Sequence, residues 1–234
     1  MSKNRIAIIV AMPEEVEAIL QITNLVDEQY YYGHKFLCVK YNQQEIILTV
    51  CGVGKVNSAF VTSLLGLVYK VDLIINLGSA LGMADCQKIG DVVLVDSARF
   101  HDLCLDYDDL IATPERFLEL ANDSLVNSFE KVCQKLGVAY QRGLIVSGDQ
   151  FVCDMQKKLE IKKRFSTENI VALDMESCAI LSVANRLGID CIIVRGISDL
   201  LFSEDNVVDF NQFVKIAAKN SCKIVQNWLD YEKI

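Results

Sequence analysis

Apolar residues recur along the chain in short, nearly continuous runs that are rich in valine and isoleucine. Runs of this kind, without alternation of apolar and polar positions, are typical of strands that are buried on both faces of a sheet. They predict strands at Ile6–Met12, Asp72–Leu77, Asp91–Val95, Gly143–Val146, Ile170–Leu173 and Cys191–Ile197. Two further segments, Phe36–Lys40 and Glu45–Cys51, predict a hairpin that turns at Asn42 and Gln43.

Helical periodicity occupies most of the intervals between these runs. It predicts helices at Pro13–Leu20, Lys55–Val68, Ser124–Leu136, Asp154–Phe165, Glu176–Leu187 and Gln212–Leu229. Pro13 suits a first helical turn, and Gly137 and Gly188 each stand just past a helix, where glycine commonly caps the last turn. Because strands alternate with helices, we predict an α/β fold, a three-layer α/β/α sandwich with a central mixed sheet, in which residues 1–234 form a single domain.

Composition and charge narrow the classes of function. Of the 234 residues, 52% are hydrophobic and 23% are charged, as expected for a globular domain. The formal net charge of -8 disfavours nucleic acid, which binds basic surfaces, and favours a neutral or zwitterionic small molecule as the partner. No apolar stretch is long enough to span a membrane, and the first residues lack the pattern of a signal peptide, so we expect a cytoplasmic protein without a membrane partner.

The cysteines and histidines argue against disulfides and against a metal site. None of the nine cysteines belongs to a C-x-x-C pair, and Cys38, Cys51, Cys178 and Cys191 lie in apolar runs. We therefore expect these four to be reduced core residues in a reducing compartment. Because the chain has only two histidines, a histidine-based zinc site is not expected, and no metal is predicted.

The candidate functional residues follow the predicted strands. In open α/β sheets, ligands bind at the carboxyl ends of the strands. The segments found there are Met12 to Glu15, Gly52 to Lys55, Gly78 to Ala80, Ser147 to Phe151, Asp174 to Glu176 and Arg195 to Asp199. Carboxylates, small residues and one aromatic side chain thus converge on one edge of the sheet, which indicates a binding or catalytic site.

Each of these residues also has an ordinary structural explanation when it is taken alone. The two glycines at 52 and 54 lack the third glycine of a dinucleotide site and the pattern of a phosphate loop, so a tight turn explains them equally well. Glu15 and Glu176 could be acids of a first helical turn, favoured by the helix dipole. Asp199 could cap a turn or pair with Arg195, and Lys55 could be a solvent-exposed residue at a helix start.

Six segments, taken together and in order, are similar to those of a known family. They are Ala11–Val16, Gly52–Val56, Asn76–Ala80, Arg142–Phe151, Asp174–Glu176 and Val194–Asp199. The chain resembles the bacterial 5′-methylthioadenosine/S-adenosylhomocysteine nucleosidases over about residues 5–230. The resemblance implies a nucleoside-phosphorylase-like fold, a homodimer, an adenine nucleoside as substrate and no cofactor. It implies hydrolysis of the N-ribosidic bond, which releases adenine and a 5′-thioribose.

The resemblance also implies a chemical role for three carboxylates. Asp199 would protonate N7 of adenine with support from Ser198, because adenine leaves poorly until N7 is protonated. Glu15 would hold or deprotonate the attacking water, which Arg195 and Ser79 would help to place. Glu176 would bind the ribose hydroxyls beside an oxocarbenium-like sugar. The division of tasks parallels glycoside hydrolysis by carboxylates in different protonation states.

The remaining positions that the resemblance implies would bind the substrate. Phe151 would stack on adenine, and the backbone of Val152 would contact the edge of the base. Met175 would pack on the sugar. The pocket for the 5′-alkylthio group would be lined by Met12, Val53 and Phe210.

Several positions depart from the family's usual pattern. Asp174 replaces the first acid of a Glu-Met-Glu motif, and Leu81 stands where glycine is common. Cys104 takes the place of an aspartate, and the following segment Leu105–Glu115 is shorter than the family's loop, which reaches the partner's active site. The resemblance therefore does not predict which residues a partner subunit would contribute to the alkylthio pocket.

Two alternatives to a hydrolase remain at this point. One is a phosphate-dependent purine nucleoside phosphorylase of the same superfamily, although the chain places few arginines at the strand ends to hold phosphate. Lys55, beside Gly54, keeps that option open. The other is a catalytically inactive nucleoside-binding protein, which the presence of all three carboxylates disfavours. The sequence also does not decide the preferred 5′ substituent. The candidate substrates are methylthioadenosine, S-adenosylhomocysteine, 5′-deoxyadenosine and aminodeoxyfutalosine.

Overall fold

The computed structural model of the chain describes residues 5–103, 117–203 and 206–232. Two of the departures named above, Cys104 and Leu105–Glu115, lie outside these ranges. Within the described residues, no helix combines the length and the apolar character that crossing a membrane requires.

Ten strands lie within the described ranges. In chain order they are β1 (Ile6–Val10), β2 (Asn24–Tyr31), β3 (His34–Tyr41), β4 (Gln44–Val50), β5 (Leu73–Gly82), β6 (Val92–Phe100), β7 (Glu119–Leu120), β8 (Tyr140–Ser147), β9 (Ile170–Asp174) and β10 (Asp190–Leu200). Every predicted apolar run and both hairpin arms correspond to strands, which confirms those predictions. The sequence missed β2 and β7, because β2 is a largely exposed edge strand of mixed polar and apolar residues and β7 has only two residues.

Six helices accompany these strands in the described residues. They are α1 (Pro13–Leu20), α2 (Lys55–Leu67), α3 (Asp123–Leu136), α4 (Met155–Arg164), α5 (Ser177–Leu187) and α6 (Asn206–Glu232). All six predicted helices are confirmed, although α6 extends beyond the predicted range at both ends. Gly137 and Gly188 cap their helices with left-handed backbone, at φ 62° and 67°, as predicted. Glu176 is the residue before α5 rather than its first residue.

The sheet curls so that part of it closes on itself. Its strand order is β10–β6–β8–β9–β5–β1–β4–β3–β2, with β7 paired to β6. In addition, β5 pairs in parallel with β10 along its whole length, and its last residues pair antiparallel with the end of β9. The strands β5, β10, β6, β8 and β9 therefore form a ring, from which β1, β4, β3 and β2 continue as an open sheet. Parallel and antiparallel pairs both occur, which confirms a mixed sheet.

Neighbouring side chains of β1 enter two separate cores, one on each face of the sheet. In β1, Ile8 belongs to the core that α1, α3 and α6 cover, which includes Trp228. The next residue, Ile9, belongs to the core that α2 and α5 cover, which includes Leu65. Helices thus cover both faces of the sheet, as the unbroken apolar runs predicted. The three-layer α/β/α arrangement is confirmed.

Most of the cysteines that were predicted to lie in the core do so. Cys51, Cys178 and Cys191 are buried. Cys38 is only partly buried, and the prediction was wrong there because β3 borders the largely exposed edge strand β2. Each of the eight cysteines within the described ranges is free.

Two strands continue past the points where the sequence predicted their ends. The predicted runs stop at Leu77 and Ile197, but β5 and β10 extend to Gly82 and Leu200. The apolar pattern breaks at small and polar residues, whereas the parallel ladder between the two strands continues with one irregularity. Ser79 and Asp199 therefore lie within strands and not in the loops that follow them.

Candidate active site

A cavity of about 260 Å³ opens at the edge of the sheet where these strands end. It is lined by Ala11, Met12, Glu15, Val53, Ser79, Ala80, Leu81, Gln150, Phe151, Val152, Leu173, Asp174, Met175, Glu176, Ser198, Asp199 and Phe210. Every predicted site residue except Arg195 is in this set. The convergence that the strand ends predicted is therefore present in the fold.

Glu15 is held by hydrogen bonds from two elements. Its Oε2 accepts the backbone N–H groups of Ala11, at 3.0 Å, and Met12, at 3.1 Å, just before α1. Its Oε1 accepts the backbone N–H of Ser79 in β5, at 3.0 Å, and the Ser79 hydroxyl, at 3.2 Å. Glu15 is only 3% exposed, and burial raises its pKa although the charge of Arg195 and these N–H groups act to lower it. It supports the start of α1, but it is not a solvated surface acid.

Glu176 stands at the junction of β9 and α5 and faces the same cavity. Its Oε1 accepts the backbone N–H of Gly54, at 2.8 Å, from the turn after β4. The side chain is buried, and burial together with the nearby Asp174 carboxylate raises its pKa. Arg195 and the Gly54 N–H oppose that rise. A carboxylate that is buried beside like charge is poised for a functional task rather than for stability.

Asp199 reaches the cavity through an irregularity in β10. The register with β5 shifts between Ile197 and Asp199, so the consecutive residues Ser198 and Asp199 both line the cavity. In a regular strand, neighbouring side chains would point to opposite faces. The Ser198 hydroxyl donates to Asp199 Oδ1 at 2.7 Å, and both residues are buried.

Arg195 lies beneath the cavity and is 1% exposed. Its Nη2 donates to Asp174 Oδ2 and Asn76 Oδ1, both at 2.7 Å, and its Nη1 donates to the carbonyl of Leu77 at 2.9 Å. Its Nε and Nη2 also donate to the Ser177 hydroxyl, at 3.2 Å and 2.9 Å. The positive charge of the guanidinium acts to lower the pKa of both Glu15 and Glu176. Direct placement of water by Arg195 stays a prediction.

Aromatic and aliphatic side chains form the mouth of the cavity. Phe151 is 47% exposed, so it is not a core residue, and its ring packs edge-on against Phe210 with centroids 5.2 Å apart. Met12 and Val53 lie on the same lining. An exposed aromatic ring at the mouth of an apolar cavity suits stacking on a planar ligand.

Comparison with known proteins identifies the family. A family model for the Phosphorylase superfamily matches residues 5–230. The 5′-methylthioadenosine/S-adenosylhomocysteine nucleosidase of Haemophilus influenzae (strain PittEE) is 33% identical over 231 residues, which cover 97% of this chain and 99% of that protein. The chain belongs to this nucleosidase family. The resemblance inferred from the six ordered segments is confirmed.

Solved structures agree with the nucleosidase family and its fold. The S-adenosylhomocysteine nucleosidase of Streptococcus pyogenes, in complex with 5-methylthiotubericidin, superposes with a TM-score of 0.90 at 32% identity. That match covers 99% of this chain and 98% of the other. The futalosine hydrolase of Helicobacter pylori strain 26695 has a TM-score of 0.89 at 26% identity, and the match covers 98% of each chain. The nucleoside-phosphorylase-like fold is therefore confirmed.

Two departures from the nucleosidase pattern line the cavity. Asp174 accepts the hydroxyl of Ser147, at 2.5 Å, on Oδ1, and forms a buried ion pair with Arg195, at 2.7 Å, through Oδ2. The shorter side chain is thus fully engaged with its surroundings. Leu81 is in register with Asp199 on one side and Leu173 on the other. Its side chain belongs to the apolar cluster beneath one end of the cavity.

Four further residues line the nucleosidase cavity without a predicted role: Ala11, Ala80, Gln150 and Leu173. Ala80 and Gln150 lie within the candidate segments at the strand ends. All four lie next to residues of those candidate segments. Their side chains have no chemical signature of their own, and only the fold brings them to the cavity.

Proposed function

We propose that the chain hydrolyses the N-ribosidic bond of 5′-methylthioadenosine and S-adenosylhomocysteine and releases adenine. One observation carries the proposal most strongly: Glu15, Glu176 and Asp199 are three buried carboxylates on one small cavity. Cleavage of such a bond needs an acid at the base, a carboxylate near the cationic sugar and a group that activates water. The nucleosidase relative supplies the substrate class.

Asp199 is the acid in this mechanism. It protonates N7 of adenine while Ser198 holds its other oxygen in place. Phe151 stacks on the base from the mouth of the cavity, and the backbone of Val152 contacts the edge of the base. Protonation removes the negative charge that would otherwise develop on the leaving adenine.

Glu176 and Met175 receive the sugar. The Glu176 carboxylate accepts the ribose hydroxyls and, as positive charge develops on the ring, stabilises that charge across the buried site. The Gly54 N–H fixes one of its oxygens. Met175 packs on the apolar face of the ribose.

Glu15 activates water, and its surroundings disfavour phosphate. The donors gathered here, from Ala11, Met12 and Ser79, are the kind that bind an anion at a helix start. The chain's own carboxylate already occupies them, so a phosphate would meet negative charge in their place. A water molecule is neutral and can donate a hydrogen bond to the Glu15 carboxylate. This arrangement therefore favours hydrolysis over the phosphorylase alternative.

The 5′ substituent lies at the mouth among Met12, Val53 and Phe210. These side chains are apolar and suit an alkylthio group. 5′-Deoxyadenosine and aminodeoxyfutalosine share the adenine and ribose and are secondary candidates. The similarity to a futalosine hydrolase supports testing the second of these.

We further propose that the enzyme is a cytoplasmic homodimer. The outward face of α2 presents Val56, Phe60 and Leu67, which are 79%, 42% and 57% exposed. Their spacing places them on one side of the helix, close to Val53 at the mouth of the cavity. An apolar patch of this kind, continuous with a binding site, is typical of a subunit interface.

The substrate assignment is tested by chromatography of the products. Purified protein is incubated with 5′-methylthioadenosine, S-adenosylhomocysteine, 5′-deoxyadenosine and aminodeoxyfutalosine, with inosine as a purine control. Adenine is expected from the two thionucleosides at the highest kcat/KM. Tight binding of 5′-methylthioadenosine without release of adenine would instead support the inactive nucleoside-binding protein.

A further inference from the structure

Outside the carboxylates of the cavity, three charged residues from different elements form an ionic cluster. Lys55 begins α2, Asp102 follows β6, and Asp149 follows β8. Lys55 Nζ lies 2.7 Å from Asp102 Oδ2 and 3.6 Å from Asp149 Oδ2. The Asp102 carboxylate also accepts the backbone N–H of Asp149 at 2.9 Å. Lys55, expected from the sequence to face solvent or to bind phosphate, is thus engaged by two carboxylates.

Asp149 also caps α2. The residue before this helix is Gly54, which has no side chain with which to satisfy the first N–H groups. Asp149 Oδ1 accepts the backbone N–H of Lys55 at 2.8 Å and so supplies that cap from a distant loop. Its negative charge also lies at the positive end of the helix dipole.

The turn before α2 leaves little space for a side chain beside Asp149. Gly54 has φ +95°, and a methyl group built on it would stand 3.0 Å from Asp149 Oδ1. Glycine is favoured there by the backbone conformation, and a Cβ would also push the Asp149 carboxylate away by a few tenths of an ångström. The contact between this turn and Asp149 is therefore close and specific.

The same turn and the same loop form two walls of the cavity. Gly54 donates its N–H to Glu176, and Val53 lines the mouth. On the other side, Asp149 is followed directly by Gln150 and Phe151, which also line the cavity. A shift of Asp149 would consequently move the partner of Glu176 and the exposed aromatic ring together.

We propose that Asp149, held by Lys55 and Asp102, is a positioning residue that fixes the Gly54 N–H on Glu176 and places Phe151 across the cavity from it. The assignment of sugar and base to these two walls rests on the proposed function. Asp149 itself does not contact the reacting atoms in this account. It acts through Glu176 and Phe151.

The test compares Asp149→Ala with Asp149→Asn. Alanine removes the cap and the charge, whereas asparagine keeps an oxygen that can accept the Lys55 N–H. We expect Asp149→Ala to lower kcat/KM for 5′-methylthioadenosine about 10- to 100-fold, mainly through KM, because small displacements of binding groups are costly. Asp149→Asn is expected to stay within about threefold of the unmodified protein, since the capping bond survives.

The pH profile separates positioning from a loss of stability. The Gly54 N–H acts to lower the pKa of Glu176, so a looser turn raises that pKa further. The acidic limb of the kcat/KM profile should therefore lie at higher pH in Asp149→Ala than in the unmodified protein. In Asp149→Asn it should lie where it does in the unmodified protein. As a control, Asn122→Ala removes the cap of α3, away from the cavity, and should reduce the melting temperature without moving the limb.

The outcomes distinguish this proposal from the proposed function. If the unmodified protein releases no adenine, the proposed function fails. If it does, and Asp149→Ala keeps the normal KM and pH profile, the positioning role alone is wrong. Equal losses in Asp149→Ala and Asp149→Asn would likewise contradict it. If Asp149→Ala does not fold, Lys55→Met is measured in its place and is expected to raise KM. A normal KM in Lys55→Met would overturn the proposal.

Discussion

At the scale of single residues, the site consists of carboxylates in different surroundings. Glu15 accepts four hydrogen bonds, Glu176 accepts one from Gly54 beside a second acid, and Asp199 is bonded by Ser198. Different surroundings let chemically similar groups perform different tasks. The three residue types were visible in the sequence, but their hydrogen bonds depend on groups far along the chain.

The role of Asp199 is tested by Asp199→Asn. Asparagine keeps the shape of the side chain but supplies no carboxyl proton for N7. We expect turnover of 5′-methylthioadenosine to fall by about 10²–10⁴-fold, the usual contribution of a general acid, while binding measured by calorimetry persists. Near-normal adenine release by this variant would contradict the assignment of the acid.

Substitution of Glu15→Gln tests the activation of water. Glutamine retains an oxygen for the Ser79 or Ala11 N–H groups, but it cannot take a proton from water. The expected result is a fall in kcat of about 10²-fold or more, with a smaller change in the dissociation constant of the substrate. A variant with the kcat of the unmodified enzyme would reduce Glu15 to a structural acid at the start of α1.

Burial of Glu176 has a consequence for stability. Its pKa is higher in the fold than in the unfolded chain, so the folded state holds the proton more tightly. Its contribution to stability is therefore present at low pH and is lost as pH rises through the raised pKa. We expect Glu176→Gln, which carries no charge, to melt a few degrees above the unmodified protein at about pH 8.

The pH dependence of that difference is the decisive observation. At about pH 5, where Glu176 retains its proton in the folded state, the two proteins should melt at nearly the same temperature. Comparing them removes the shared contribution of Glu15, whose pKa is also raised by burial. A difference that is constant across this range would contradict the account of Glu176.

At the scale of elements, the sequence predicted where the strands begin better than where they end. The apolar runs that form β5 and β10 are long and unbroken, so their identity as strands was clear. Their final residues, such as Ser79 and Asp199, are small or polar because they face the cavity, and this breaks the apolar pattern. The register shift before Asp199 depends on pairing with β5, which periodicity within one strand cannot reveal.

The edge strand β2 illustrates the opposite limit. Its residues are mostly exposed, and its hydrogen bonds to β3 hold it in the sheet. A strand without a buried face has no apolar pattern to predict it from. By contrast, the glycine caps after α3 and α5 were predicted because their signal is local.

The close approach of β5 to the residues beneath the cavity gives a further test. A methyl group on Gly78 would lie 2.7 Å from Glu15 Oε1 and would overlap the guanidinium of Arg195. Both are buried and hydrogen-bonded, so they cannot move freely. We expect Gly78→Ala to destabilise the fold by about 1–3 kcal/mol and to lower kcat at least tenfold in the folded protein.

A matched substitution isolates the effect on the site. Gly143 in β8 is equally crowded, since a methyl group there would lie 2.5 Å from the carbonyl oxygen of Asn169, which is not part of the cavity. Gly143→Ala should therefore lose stability without a specific loss of kcat. If the two variants lose stability but keep the same kcat, the contact at Gly78 has no role in catalysis.

At the scale of the whole molecule, closure of the sheet brings the site together. The strands β1, β4, β5 and β10 run parallel, so the segments that follow them meet at one edge. Glu176, however, follows β9, which pairs antiparallel with the end of β5. The ring through β6 and β8 bends the sheet so that this segment also reaches the cavity. No local pattern in the sequence encodes that closure, whereas the resemblance to the nucleosidases implied the residues.

The central claim is that this cavity uses water and not phosphate. The most direct measurement is adenine release from 5′-methylthioadenosine in phosphate-free buffer and again with added phosphate, with the sugar product identified by chromatography. We predict full activity without phosphate and free methylthioribose as the product, because Glu15 occupies the donors that an anion would need. Strict dependence on phosphate, with a sugar 1-phosphate as the product, would contradict the account.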